Sequence, residues 1–102
     1  MKVLGVTACP SGVAHTYMAA KAIEKACEKA GVECKVETQG SIGIENEIGA
    51  DDLKDATAVV LTTNMPIKND ERFEGMPKVK MTAGDVIKYA DAIVAKLQKE
   101  LG

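Results

Sequence analysis

Residues 2–30 read KVLGVTACPSGVAHTYMAAKAIEKACEKA, and the reading of this stretch decides the fold. Lys2–Thr7 has the composition of a short strand, Ala8-Cys9-Pro10-Ser11-Gly12 is turn-rich, and from Val13 to about Ala30 the pattern is helical. Ile23, Cys27 and Ala30 recur at i, i+4 and i+7, while Lys21, Glu24, Lys25, Glu28 and Lys29 occupy the other side. One stripe of the helix is therefore apolar, Cys27 lies on it, and Gly31 ends it. A strand that runs straight into a helix opens an alternating α/β chain.

The rest of the chain continues that alternation. Val32–Glu37 places Val32, Cys34 and Val36 on one face and Glu33, Lys35 and Glu37 on the other, the pattern of an exposed-edge strand with Cys34 in the core. A glycine-bearing loop from Gln39 to Gly49 and a short helix around Asp51–Ala56 lead to Ala58–Thr62, a continuous apolar run suited to a central parallel strand. Asn64–Pro77 reads as a long polar loop and Lys78–Met81 as a fourth strand. Thr82-Ala83-Gly84-Asp85 then caps a last helix whose stripe is Val86, Ala90, Ile93, Leu97 and Leu101, supported by Ile87 and Val94. The expected fold is a single α/β domain over residues 1–102: a Rossmann-like three-layer sandwich whose four-stranded parallel sheet has order 2-1-3-4, with helices on both faces. In such folds ligands bind at the carboxyl ends of the strands where the strand order reverses, and strand 1 running into Cys9 occupies that place.

Composition narrows the chemistry. The 102 residues carry 13 Lys+Arg against 15 Asp+Glu, a net charge of -2, and only three aromatic residues, Tyr17, Phe73 and Tyr89. A nucleic-acid partner calls for a basic surface and stacking platforms, so none is expected. Apolar runs such as Ala58–Leu61 and Ala92–Ala95 stop at four residues, far short of the ~20 a spanning helix needs; the expected compartment is the cytoplasm. Three cysteines without a Cys-x-x-Cys pair, and one histidine, fit neither a disulfide framework nor a zinc site. No metal and no cofactor is expected.

Cys9 is the candidate nucleophile. The residues after it, Pro10, Ser11, Gly12, Val13, Ala14, His15 and Thr16, run from a turn into the first helix, where backbone N–H groups and the positive end of the helix dipole favour a thiolate and would hold a phosphoryl group attached to it. From Met1 through Ile23 there is no Asp or Glu, so nothing local repels a dianion. His15 stands six residues after Cys9, where low-molecular-weight tyrosine phosphatases place a phosphate-binding arginine; imidazole offers fewer donors and a pH-dependent charge. Those phosphatases also use an Asp-Pro general acid, and no Asp-Pro occurs here. The loop is that of a phosphoryl carrier. A phosphatase-like hydrolase and a non-enzymatic thiol sensor are the competing readings, and for His15 phosphate contact or donor docking stands beside a helix-start residue that caps or packs.

Thr7-Ala8-Cys9-Pro10-Ser11-Gly12-Val13-Ala14-His15-Thr16-Tyr17-Met18-Ala19-Ala20 resembles the signature of the fructose-type enzyme IIB component of the bacterial sugar phosphotransferase system. The likeness continues in Val36–Ser41 with Gly43 and Asn46, in the acidic Asp51-Asp52, and in Glu71–Gly75. The resemblance implies a relay in which phosphohistidine on a IIA component phosphorylates the IIB cysteine. The phosphocysteine then passes its group to a sugar, fructose or a related one, held by the membrane IIC component, so the carrier meets the inner face of the membrane through IIC. Ser11 stands where Thr is usual, and Asn64 where many relatives have Asp, either altering the charge near the phosphoryl group or serving as a turn residue. Gln39, Ser41 and Asn46 are candidate rim or partner contacts, against ordinary loop chemistry. Arg72, beside Phe73, suits either docking onto a partner or an ion pair with Glu71 or Glu74 while Phe73 fills the core.

Overall fold

The structure, a computed structural model, describes residues 1–8, 13–40 and 43–101. In chain order the elements are β1 (Lys2–Ala8), α1 (Val13–Ala30), β2 (Glu33–Gly40), β3 (Gly43–Glu45), α2 (Ala50–Asp55), β4 (Ala58–Thr62), a 3-10 turn (Asp70–Phe73), β5 (Lys78–Met81) and α3 (Ala83–Leu101). The sheet order is β3-β2-β1-β4-β5. β1 pairs in parallel with β2 and β4, and β4 with β5, whereas β3 runs antiparallel to β2 with Gly40 opposite Gly43. The sheet is therefore five-stranded and mixed, not four-stranded and parallel. The start of the expected Gln39–Gly49 loop instead continues β2 to Gly40, and Gly43–Glu45 runs antiparallel to it as β3. β2 consequently has a neighbour on each side and is not an edge strand.

Alternation along the strands divides the interior in two. Val3, Val36, Ala58 and Val60 face α1 and α3, against Ala19, Ile23, Cys27, Val86, Ala90, Ile93 and Leu97. Leu4, Val6, Val59 and Leu61 face the other way and meet Ile48 and Phe73, with Leu53, Ile67 and Met76 packed on them. Full helices thus cover one face only; the second is covered by the six-residue α2, the 3-10 turn and the segments beside them. At Gly5 an added Cβ would meet Ile23 Cδ1 at 3.1 Å and Val36 Cγ1 at 3.3 Å, so the absence of a side chain lets α1 settle onto β1.

Helix ends follow local chemistry. Gly31 takes a φ of 70°, its N–H donates to Glu28 O and the Val32 N–H to Cys27 O, closing α1 by a Schellman motif. Thr82 Oγ1 accepts the Asp85 N–H at 3.2 Å and caps α3. Leu101, assigned to the α3 stripe, is exposed: the end of α1 is reached at Gln98, whose Nε2 donates to Ala30 O, and α3 continues past it. No helix among the described residues is long and apolar enough to cross a membrane.

Candidate active site

β1 ends at Ala8 and α1 starts at Val13, so residues 9–12 bridge the carboxyl end of the central strand and the amino end of an 18-residue helix with no acidic residue in its first turn. Cys9, Pro10, Ser11 and Gly12 lie outside the described residues, as does Ser41. Both ends of the bridge are held by threonine hydroxyls. Thr62 Oγ1, buried at the end of β4, accepts the Ala8 N–H at 2.9 Å and donates to Ala8 O at 3.1 Å. Thr7 Oγ1 donates to Thr16 O at 2.9 Å, tying β1 to the first turns of α1.

Of the residues proposed to cradle phosphate, Val13 opens the helix, Ala14 and His15 are exposed on it, and Thr16 is buried. Thr16 Oγ1 has no hydrogen-bond partner among the described residues, and neither has buried Thr38 Oγ1, on the residue opposite Thr7 in the β1–β2 register. Tyr17 is exposed and its hydroxyl donates to a Glu45 carboxylate oxygen, bracing α1 against β3.

The other two cysteines are poor nucleophiles. Cys27 is fully buried, and burial, reinforced by the neighbouring Cys34, pushes its thiol up to about 12. Cys34 is half-buried and its thiol is also raised, chiefly by burial. Both shifts favour the protonated thiol over the thiolate.

The polar face of β2, read from its alternation as solvent-exposed, is exposed at Glu33 and half-buried at Lys35 but covered at Glu37. Glu37 is fully buried, and Arg72 grips it in bidentate fashion with two N···O distances of 2.7 Å. Ile48 N–H and Gln39 Nε2 donate to the same carboxylate at 2.8 and 2.7 Å. Burial raises the carboxyl, but the Arg72 guanidinium, Gln39 and the Ile48 N–H together outweigh it and hold the group below its ordinary value. Gln39, expected at a rim, is buried: its amide also bonds Lys68 O and accepts the Lys68 N–H at 2.8 Å. Arg72 pairs with neither Glu71 nor Glu74 but with a carboxylate 35 residues away, and its guanidinium lies 4.8 Å from the centre of the Phe73 ring, which fills the core. Asn46 is an exposed left-handed turn residue, φ 54°. Asn64, at the end of β4, accepts the Ala83 N–H at 2.6 Å and so fixes the start of α3. A groove of about 390 Å³ lined by Thr62, Asn64, Pro66, Asp70 and Lys80 runs beside it.

Sequence reasoning passed over Thr7, Glu37 and Thr62. Thr62 carried a signal: a hydroxyl that closes a continuous buried run must find a partner inside the fold. For Glu37 the signal was a lone arginine adjoining a lone phenylalanine, one of which is needed in the core.

Comparison with known proteins agrees with this geometry. The family model described as "PTS system, Lactose/Cellobiose specific IIB subunit" matches residues 4–96. The "PTS system fructose-like EIIB component 2" of Escherichia coli (strain K12) is 54% identical over 100 residues, covering 98% of this chain and 94% of the relative. The "PTS system 2-O-alpha-mannosyl-D-glycerate-specific EIIABC component" of the same strain is 47% identical over 89 residues, 87% of this chain but 14% of that longer protein. Among solved structures, the enzyme IIB subunit of the PTS system from Escherichia coli K12 superimposes with a TM-score of 0.89 at 40% identity, covering 96% of this chain and 91% of that one. A mixed sheet whose central strand leads through a short segment into the first helix, together with these matches along nearly the whole length, shows that the chain belongs to the enzyme IIB family of the sugar phosphotransferase system.

Proposed function

We propose that the chain is a phosphoryl carrier that takes phosphate from a phosphohistidine of a IIA protein or domain onto Cys9 and passes it to a sugar, fructose or a related one, bound by the membrane IIC component. In the first step Cys9, as thiolate, forms the S–P bond while the N–P bond breaks; its electron pair returns to the donor imidazole, which takes up a proton. In the second a sugar hydroxyl forms the O–P bond while the S–P bond breaks; the thiolate leaves with the electron pair, and the hydroxyl proton passes to solvent. Backbone donors at the start of α1 take up the charge of the phosphoryl oxygens, so positioning and electrostatics supply most of the catalysis. Thr16, whose buried hydroxyl lacks a partner among the described residues, is an additional donor, and Ser11 and His15 are the others on this segment.

The observation that carries this reading is the elimination of Cys27 and Cys34 by burial in a chain whose family signature surrounds Cys9. The phosphatase alternative loses support from Arg72: the only arginine in the sequence is committed to Glu37 and is no phosphate clamp. The fused EIIABC relative supports the partnership with IIA and IIC. The test is incubation with phosphoenolpyruvate and the phosphorylated upstream proteins, read by intact-protein and peptide mass spectrometry. One phosphoryl group on the Cys9 peptide, absent in Cys9→Ser, is expected; an unmodified protein beside a competent donor excludes the relay, and turnover of p-nitrophenyl phosphate reinstates the hydrolase.

A further inference from the structure

We infer that Thr62 is a positioning residue for chemistry at Cys9, an assignment that rests on the carrier function proposed above. The backbone pairing of β1 with β4 runs from Val3 opposite Ala58 to Val6 opposite Leu61. There the pairing with β1 ends; the Thr63 N–H, like that of Val59, serves the β5 side and donates to Met81 O at 2.9 Å. Ala8 is thereby left without a backbone partner on this side, and the Thr62 side chain replaces it. One hydroxyl oxygen both accepts the Ala8 N–H and donates to the Ala8 carbonyl, at 2.9 and 3.1 Å, in a buried setting where either group left unpaired is costly.

The consequence follows from covalent geometry. The Ala8 carbonyl belongs to the peptide plane that leads into Cys9, and that plane is rigid. Holding both polar groups of Ala8 fixes the orientation in which the chain leaves the strand. Thr62 therefore constrains the direction in which the chain leaves Ala8 toward the nucleophile, and does so without adding charge beside a dianion. Valine keeps the shape of threonine and loses both hydrogen bonds; serine keeps the hydroxyl.

The experiment compares wild-type protein with Thr62→Val, Thr62→Ala and Thr62→Ser at a temperature where each is folded by circular dichroism. Two rates are measured: alkylation of Cys9 by iodoacetamide at neutral pH, located by peptide mass spectrometry, and phosphoryl transfer from phosphorylated IIA protein. In the valine variant both rates fall about tenfold to a hundredfold, the loss in transfer lying in kcat rather than KM, and serine restores both. The alanine variant carries the same test should valine fail to fold. Wild-type rates in a folded variant without the hydroxyl, or a folded serine variant as slow as valine, overturn the inference. A wild-type protein that accepts no phosphate defeats the carrier function instead, while alkylation, which needs no donor, still decides the role of Thr62.

Discussion

Two neighbouring strands end in buried polar chemistry of opposite kinds. At the end of β2 a full ion pair, Glu37 with Arg72, is buried with Gln39, Ile48 and Lys68 around it. At the end of β1, one strand away, the binding is done by the neutral hydroxyls of Thr7 and Thr62 acting on backbone. The ion pair fastens the 3-10 turn and the segment before α2 onto the sheet, a task in which strong charge-assisted bonds serve and the charges cancel. The carboxyl end of the strand that leads to Cys9 is held without formal charge, the Lys2–Asp52 ion pair lying at its other end, and the first acidic residue of the chain is Glu24. The difference fits a division of labour: charge serves architecture where it can be paired, and is kept away from the place proposed to receive a dianion.

The comparison breaks most visibly at Arg72. Removing the guanidinium in Arg72→Met strands Glu37 in the interior, and a buried pair broken on one side costs about 3–5 kcal/mol. Urea unfolding of Arg72→Met measures that loss; the double variant Glu37→Leu/Arg72→Met recovers much of it, because two apolar side chains need no counter-charge. The pH dependence has a definite sign. In the wild type the Glu37 carboxyl lies below its unfolded value, so its contribution is complete above the ordinary carboxylate range and is lost as pH falls through the folded value. In Arg72→Met the remaining burial raises the carboxyl, and protonation relieves the strain. The stability gap between the two proteins narrows as pH drops from 7 toward about 4, and a gap that stays constant would falsify the assignment of Glu37 as the buried partner.

The neutral clamps give a smaller effect. Thr62→Val leaves two buried polar groups of Ala8 unpaired, at a cost of about 1–3 kcal/mol. Thr7→Val removes a donor to a single carbonyl, that of Thr16 within α1, and costs about 1 kcal/mol. Thermal unfolding of the two variants side by side orders them. If Thr7→Val is the more damaging, the tie between β1 and α1, and not the hold on Ala8, is what secures this end of the sheet.

What the sequence disclosed and what it withheld divide along the same boundary. The α1 span from Val13 to Ala30, the glycine stop, the Thr82 cap and the apolar β4 run follow from periodicity and local end chemistry, which depend on residues a few positions apart. The three-residue β3 was read as loop because Gly43-Ile44-Glu45 is too short to display alternation and is exposed throughout. Glu37 was read as solvent-facing because alternation tells which residues share a face and not what lies on top of it; its partner is 35 residues away. In the site, family likeness and the missing acids drew attention to Cys9. The hydroxyl on Ala8 went unseen because Thr62 is 54 residues from it and nothing local in either segment announces the contact.

Asn64→Asp sharpens the comparison by placing a charge in the neutral region. Asn64 accepts the Ala83 N–H at the start of α3, a position where a carboxylate is a better acceptor and also meets the positive end of the helix dipole. On that account the aspartate variant unfolds later, by about 0.3–1 kcal/mol in urea. Because the side chain is occupied with α3, the lifetime of phosphocysteine, followed by mass spectrometry after removal of the donor, stays at the wild-type value. A shortened lifetime in a stabilised protein gives the opposite lesson: a carboxylate at the end of β4 acts on the phosphoryl group across the Thr62 clamp, and neutrality at residue 64 is then itself part of how the carrier keeps its phosphate.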